Sequence, residues 1–248
     1  MLPASARQIL DRLDDAAVVL DIGGWGKPFP RADWVMDLMP YETRGMYGYE
    51  THDPERFTKA TWVQRDLCDH EPFPFADKSI DFVICSHTLE DIRDPIWVCK
   101  EMQRIARAGY IETPSRLEEQ AYGVQGPWVG WGHHRWLVDQ RDGGLDFVFK
   151  HHVICGRESD HFPAGFEAML SPQERVLTFW WEDGFECDER VFIGPEELDS
   201  YVADFVAAEL ARRPLPVPPP PSWRRRVLRW VLGPPQSRRR QTVLRLDA

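Results

Sequence analysis

Residues 18–26 read Val-Val-Leu-Asp-Ile-Gly-Gly-Trp-Gly. An apolar run without polar alternation marks a strand buried on both faces, as in a parallel sheet covered by other layers. The glycines that follow leave bare backbone where side chains would block a ligand. Asp21 sits just ahead of them, and Asp37, sixteen residues further on, closes a second short strand, Trp34-Val35-Met36-Asp37. A carboxylate at that point is placed to accept hydrogen bonds from a pair of hydroxyls.

The remaining pattern extends this start. Residues 5–16 read as an amphipathic helix, with Ala6, Ile9, Leu10 and Leu13 at helical spacing. Ile80–Cys85 is a further strand. Pro95–Arg107 is a helix with Ile96, Cys99, Met102 and Ile105 on one stripe, and Gly109–Thr113 returns as a strand. Strands alternating with helices predict an α/β chain with a doubly wound, mostly parallel sheet. From about residue 126 to 193 the chain turns aromatic, and two added β-hairpins are expected. One is built around Arg141-Asp142-Gly143-Gly144: a type I′ turn at Asp142-Gly143 pairs Gln140 with Leu145. The other joins Val176–Trp181 to Phe185–Phe192 across Glu182-Asp183-Gly184.

Further pieces lie in order between the second strand and the second helix. They are Arg65-Asp66-Leu67, Pro72-Phe73-Pro74-Phe75, Ile80-Asp81-Phe82-Val83, Cys85-Ser86-His87-Thr88-Leu89-Glu90-Asp91-Ile92 and Lys100-Glu101-Met102-Gln103-Arg104. Over residues 17–114 the chain resembles the class I S-adenosylmethionine-dependent methyltransferases, in their small-molecule branch. The resemblance implies a Rossmann-like fold, S-adenosyl-L-methionine as cofactor and transfer of its methyl group. It also implies roles. Asp21 anchors the glycine loop and faces the methionine amino group, with Gly23, Gly24 and Gly26 under the methionine and ribose. Asp37 holds the ribose hydroxyls. Asp66 accepts from the adenine amino group, with Leu67 beside it, and Ser86 and His87 face the transferred methyl. The chain departs from the family at Trp25, where a glycine is usual, and at Asp91, where His is common after Leu-Glu. The expected organisation is a methyltransferase domain over 1–211, with its cofactor half at 1–114 and a hairpin, substrate-facing part at 115–211. A proline-rich linker at 212–221 and a basic amphipathic tail at 222–248 follow.

The doublets His133-His134 and His151-His152 sit among tryptophans, in a chain holding 11 of them. The hairpin register sets His134 opposite His151. Three readings stay open: a substrate wall in which His134 or His151, like His87, serves as general base; a metal site; or hydrogen-bonded structural histidines. No metal is assigned. Five cysteines without CxxC spacing argue against a disulfide framework or zinc ribbon. The start of the chain shows no basic region followed by an apolar core, so a cytoplasmic protein is expected.

The net charge of −10 hides an asymmetry, because residues 212–248 hold ten Arg and one Asp. The acidic remainder would repel phosphates, so no nucleic-acid partner is expected. Residues 222–240 carry Trp223 and Trp230 among arginines, which fits contact with an anionic membrane surface and membrane association. The expected reaction is methyl transfer to a small-molecule, sugar or lipid-linked acceptor, with oxygen as the acceptor atom. The alternative is a non-catalytic cofactor-binding scaffold or interaction protein of the same fold.

Overall fold

The computed structural model describes residues 1–45 and 54–213. The predicted linker and basic tail fall on residues 214–248, outside the described residues. By its contacts the chain divides into Met1–Arg212 and Arg213–Ala248, and the fold below is that of the first unit.

Helix α1 (Pro3–Arg12) leads into β1 (Val19–Ile22), then β2 (Trp34–Asp37), β3 (Trp62–Gln64) and β4 (Ile80–Ser86). Helix α2 (Pro95–Ile105) runs directly into β5 (Ala106–Pro114). These strands form the parallel part of a sheet in the order β3-β2-β1-β4-β5. Alternation of side chains divides the core in two. On one face Leu20, Ile22, Met36, Val83, Cys85 and Ile111 meet Val98, Cys99, Met102 and Ile105 of α2. On the other, Val19, Val35, Phe82, Ile84 and Tyr110 meet Ile9 of α1 and the rings of Phe29, Phe57 and Trp62. Helix α2 starts cleanly because Asp94 caps it, accepting from the Trp97 N–H at 2.9 Å, and Pro95 occupies the first turn.

Between β1 and β2 the described chain forms turns rather than a crossover helix. Pro28 and Pro30 remove two amide donors there. The Phe29 N–H donates to Asp21 Oδ2 at 2.8 Å, which ties the loop back to β1.

Beyond β5 come α3 (Arg116–Glu119), β6 (Trp136–Arg141), β7 (Gly144–Phe149), β8 (Val176–Glu182), β9 (Glu186–Glu189) and α4 (Pro195–Arg212). The first expected hairpin forms in the expected register, Gln140 opposite Leu145. Its turn differs in type: Gly143 has φ of 77°, whereas Asp142 is not in the positive-φ region that a type I′ turn also requires of it. The second expected hairpin does not form. β8 pairs antiparallel with β5 and becomes the outer strand of the main sheet. β9 pairs parallel with β7, in a three-stranded sheet whose Val138, Leu145, Phe147 and Cys187 join the α2 face of the core. The physical reason is burial. Phe179 and Trp181 find a deep apolar site beside β5 that an isolated hairpin could not offer.

Candidate active site

The carboxyl ends of the parallel strands define one row. Ile22 pairs with Met36 on one side and Cys85 on the other, and Ser86 pairs with Glu112. Gly23, Asp37, Ser86 and Glu112 therefore stand side by side along the edge. Connections leave β1 and β4 toward opposite halves of the sheet here, and α/β sheets bind ligands at such a switch point.

Gly23 turns the chain with φ of 74°, and a Cβ on it would lie 1.9 Å from Thr88 Oγ1. The residue is glycine on both counts. Asp37 is buried at the β2 end of the row, with Oδ2 accepting from the Trp25 N–H at 3.0 Å and Oδ1 from the Met39 N–H at 2.8 Å. Burial raises its pKa, and the hydrogen bonds from Met39 and Trp25 oppose the rise. Burial pushes Asp21 up to about 7, against the Phe29 hydrogen bond. The ring of Trp25 packs against the α1 face of the core, and its Nε1 donates to Thr43 Oγ1 at 3.0 Å. Ser86 Oγ is buried and has no hydrogen-bond partner.

His87 adopts a left-handed backbone, φ 54°, and its half-exposed ring lies between two buried carboxylates. Nε2 is 3.2 Å from Glu112 Oε1, and Nδ1 is 3.6 Å from Glu90 Oε1. Glu112 also accepts from the Leu2 N–H at 3.1 and 3.0 Å and from the Tyr110 hydroxyl. Glu90 is 1% exposed, and neither of its carboxylate oxygens has a hydrogen-bond partner. Desolvation alone would lower the His87 pKa; the hydrogen bond to Glu112 and the nearby charge of Glu90 outweigh it and hold His87 up to about 9. Burial would raise Glu112, but the His87 bond leads the opposing effects and brings it down to about 2. His87 thus carries a proton at neutral pH. A base must arrive deprotonated, so the raised pKa weighs against a general base at this position.

The sign of this linkage gives a measurement. A histidine whose pKa is raised on folding contributes stability that is complete below about 6.5 and is lost as pH climbs through its folded value. The denaturant midpoint of the native chain, minus that of His87→Asn, is expected to shrink steadily between about pH 6.5 and pH 9. A difference that stays constant across that range contradicts the assignment.

The other predicted residues are placed as follows. Gly24 lies tight against the carboxylate of Asp21; a Cβ on it would come within 2.4 Å of Oδ2. Gly26 ends the same loop. Leu67 is buried in the core. Asp66 is partly exposed and has partners of its own, the Arg93 guanidinium at 2.7 Å and the Cys68 N–H at 2.9 Å. Those two bonds, Cys68 first, lower its pKa. His134 and His151 do not act as a facing pair. His134 is buried and joins Nδ1 to Glu119 Oε1 at 2.6 Å, while Glu119 Oε2 holds Lys150. His151 stacks on His152, ring centres 4.3 Å apart, and its Nδ1 accepts from the Val153 N–H at 3.3 Å. It caps a 3-10 turn, His152–Cys155, so its ring works locally. The ladder stops at Trp136 opposite Phe149, before either doublet is reached.

Sequence reasoning missed Glu90, Glu112 and Glu119. Glu90 lies inside the Leu-Glu motif and could have been singled out; the other two carry no local signal. A cavity of about 700 Å³ opens at the amino end of the sheet, beside Arg12, Phe82 and Trp180, away from the row.

Residues 47–111 match the family model described as a methyltransferase domain. The matched stretch holds β3, β4, α2 and most of β5, with Ser86 and His87 of the row. The matched stretch, about a quarter of the chain, is similar to methyltransferase domains. S-adenosyl-L-methionine is the cofactor of that family, and the parallel sheet is its Rossmann-like fold.

Solved structures with a similar fold include a putative methyltransferase from Bacillus halodurans, at 21% identity and a TM-score of 0.33, which covers 45% of this chain and 50% of that one. A SAM-dependent methyltransferase from Aquifex aeolicus is 16% identical with a TM-score of 0.33, covering 49% and 69%. The putative methyltransferase of Haloferax volcanii, solved with the Trm112 methyltransferase activator, is 16% identical with a TM-score of 0.39, covering 73% and 89%. The chain spans about half the length of the first of these. Likeness at this level says nothing about an acceptor. No curated protein sequence matches the chain significantly. Among the described residues no helix is long and apolar enough to cross a membrane.

Proposed function

We propose that this methyltransferase moves a methyl group from S-adenosylmethionine to a small-molecule, sugar or lipid-linked acceptor bound over His87. The observation that carries the reading is the row Gly23–Asp37–Ser86–Glu112 at the switch point of the sheet. It sets bare backbone, a buried carboxylate and an unpartnered hydroxyl along one edge. Each oxygen of Asp37 accepts one backbone hydrogen bond, which leaves a lone pair on each for a ribose hydroxyl. Asp21, close to half ionised near neutral pH, gains a cation when the methionine ammonium arrives. Gly23, Gly24 and Gly26 supply the floor, and Ser86 Oγ gains its missing partner at the methyl end. The adenine end fits less well, because Asp66 would have to share its carboxylate with Arg93, and Leu67 offers backbone alone. Trp25 in the glycine loop was the feature favouring a scaffold without turnover. Its ring packs with the α1-face cluster and its Nε1 is held by Thr43 Oγ1, so the side chain has partners within the fold.

The cofactor supplies an electrophilic methyl carbon; the acceptor atom attacks it in line as the sulfur–carbon bond breaks. The chain's part is alignment, which dominates such displacements. His87 is a fixed cation between carboxylates, so it positions an acceptor by charge and shape instead of removing its proton.

Oxygen is the proposed acceptor atom, with hydroxyls stacked on the half-buried ring of Trp131. A second reading, an amine acceptor, is favoured by Glu90, whose buried carboxylate has no hydrogen-bond partner. Two measurements test the proposal. Calorimetry with S-adenosylmethionine should show one site per chain, and methyl-tritiated cofactor should label a product in a panel of hydroxyl and amine acceptors and cell extract. Absence of cofactor binding rejects the site; binding without any labelled product returns the scaffold reading. The membrane and lipid-acceptor parts rest on residues 222–240; equal pelleting with anionic vesicles of the full chain and a 1–211 truncation would remove them.

A further inference from the structure

Three metal-ligating side chains converge beside the active row without taking part in it. The ligand atoms of Asp91, His133 and His134 all lie within 4.8 Å of one another. His133 Nε2 stands 3.9 Å from Asp91 Oδ2, and the two imidazole rings are 4.5 Å apart at 73°.

The backbone causes this convergence. Neighbouring residues in a strand point to opposite faces. Here the His134 N–H closes a turn onto Trp131 O at 3.3 Å, and the two rings come together. The turn is then clamped to the loop after β4. Glu90 O accepts from both the Arg135 and Trp136 N–H groups, at 2.7 and 3.1 Å, and Trp136 Nε1 donates to Ile92 O at 2.9 Å. Asp91 sits between two clamped residues, so it faces the histidines whether or not anything is bound.

The surroundings of His134 point to a ligand. Its Nδ1 is bound to the buried Glu119 carboxylate at 2.6 Å, which directs the lone pair to Nε2. A carboxylate behind a histidine is the arrangement that orients metal-ligating imidazoles and raises their basicity. Glu119 is fixed in turn by Lys150, which also donates to Trp131 O at 2.8 Å. One ligand is rigid and buried. The other two, His133 and Asp91, are about half exposed, which leaves their side chains room to turn. Ligands bound at roughly 2.0 Å stand about 3.3 Å apart in a tetrahedral site, so small rotations of these two side chains bring them within range.

We propose that Asp91, His133 and His134 form a binding site for a divalent first-row transition-metal ion such as Zn²⁺. Two imidazoles and one carboxylate leave a coordination position for water or a ligand oxygen. The proposal stands on these residues alone and does not depend on the identity of the acceptor.

Co²⁺ is the probe, because its visible absorption reports coordination directly. The full chain is expected to bind one equivalent of Co²⁺ with visible bands, and Zn²⁺ should displace it. Removing a ligand in His133→Ala or Asp91→Asn should weaken binding at least about tenfold. Both side chains are at the surface, so circular dichroism should show intact folds. His152→Ala, in the other doublet, should bind like the native chain. The proposal is overturned if stoichiometric Co²⁺ gives no bands, or if the folded His133→Ala and Asp91→Asn chains bind as tightly as the native one.

Discussion

An Asp37→Ala chain is expected to bind S-adenosylmethionine at least about 100-fold more weakly than the native chain. Two hydrogen bonds from ribose hydroxyls to a buried carboxylate are each worth about 1.5–3 kcal/mol, and a loss of about 2.7 kcal/mol is already a hundredfold. The same carboxylate fastens the glycine loop through the Trp25 N–H, so the floor under the cofactor loosens together with the ribose grip. Asp37→Asn separates the two contributions. With its amide oxygen toward the Trp25 N–H it keeps that bond and gives up the one from Met39, while its NH₂ cannot accept from a hydroxyl. The loop should hold, and affinity should still fall by at least about tenfold. Calorimetry of the native chain and both variants, with thermal melts to follow the loop, is the measurement. Equal affinity in all three would mean that Asp37 works for the fold and that the ribose is gripped elsewhere.

How much of this was legible in the sequence depends on how far apart the interacting groups lie. The strands around Leu20, Met36, Val83 and Ile111 were readable because each is a short apolar run closed by glycine, acid or proline. The second helix was readable because Cys99, Met102 and Ile105 repeat at helical spacing. The hairpin of β6 and β7 was readable because two turn residues fix its register. Partner choice was not. Val176–Trp181 suits the far side of a hairpin as well as the edge of the main sheet, and the apolar site beside β5 decides between them. The candidate site divides the same way. Asp21, Gly23 and Asp37 belong to one local motif, and the structure sets them on one edge. Glu112 and Glu119 meet His87 and His134 only through the fold. Without those carboxylates in view, a histidine that holds a proton at neutral pH reads as a base.

A Glu119→Ala chain is expected to lose about 3–5 kcal/mol of stability, because it strands two buried groups at once. Glu119 is 1% exposed and lies between the His134 Nδ1 and the Lys150 ammonium, whose side chain is 6% exposed. Removing one member of a buried ion pair leaves an uncompensated charge and costs about that much. In a chain of this size it corresponds to a fall in Tm of roughly 6–20 °C. The carbonyl of Trp131 still accepts from Lys150, but a neutral oxygen at 2.8 Å does not balance the charge. The double variant Glu119→Ala/Lys150→Met tests that cause. Methionine fills the space of the lysine stem without its charge, so the double variant should recover a large part of the loss, with a coupling energy of at least about 1 kcal/mol. His134 stays without its carboxylate in both chains. Metal affinity should therefore remain reduced by about 10–100-fold even where stability returns, since orientation of the imidazole is a separate service of Glu119. If the double variant is as unstable as the single one, the destabilisation comes from the cavity left by Glu119 and not from the stranded lysine.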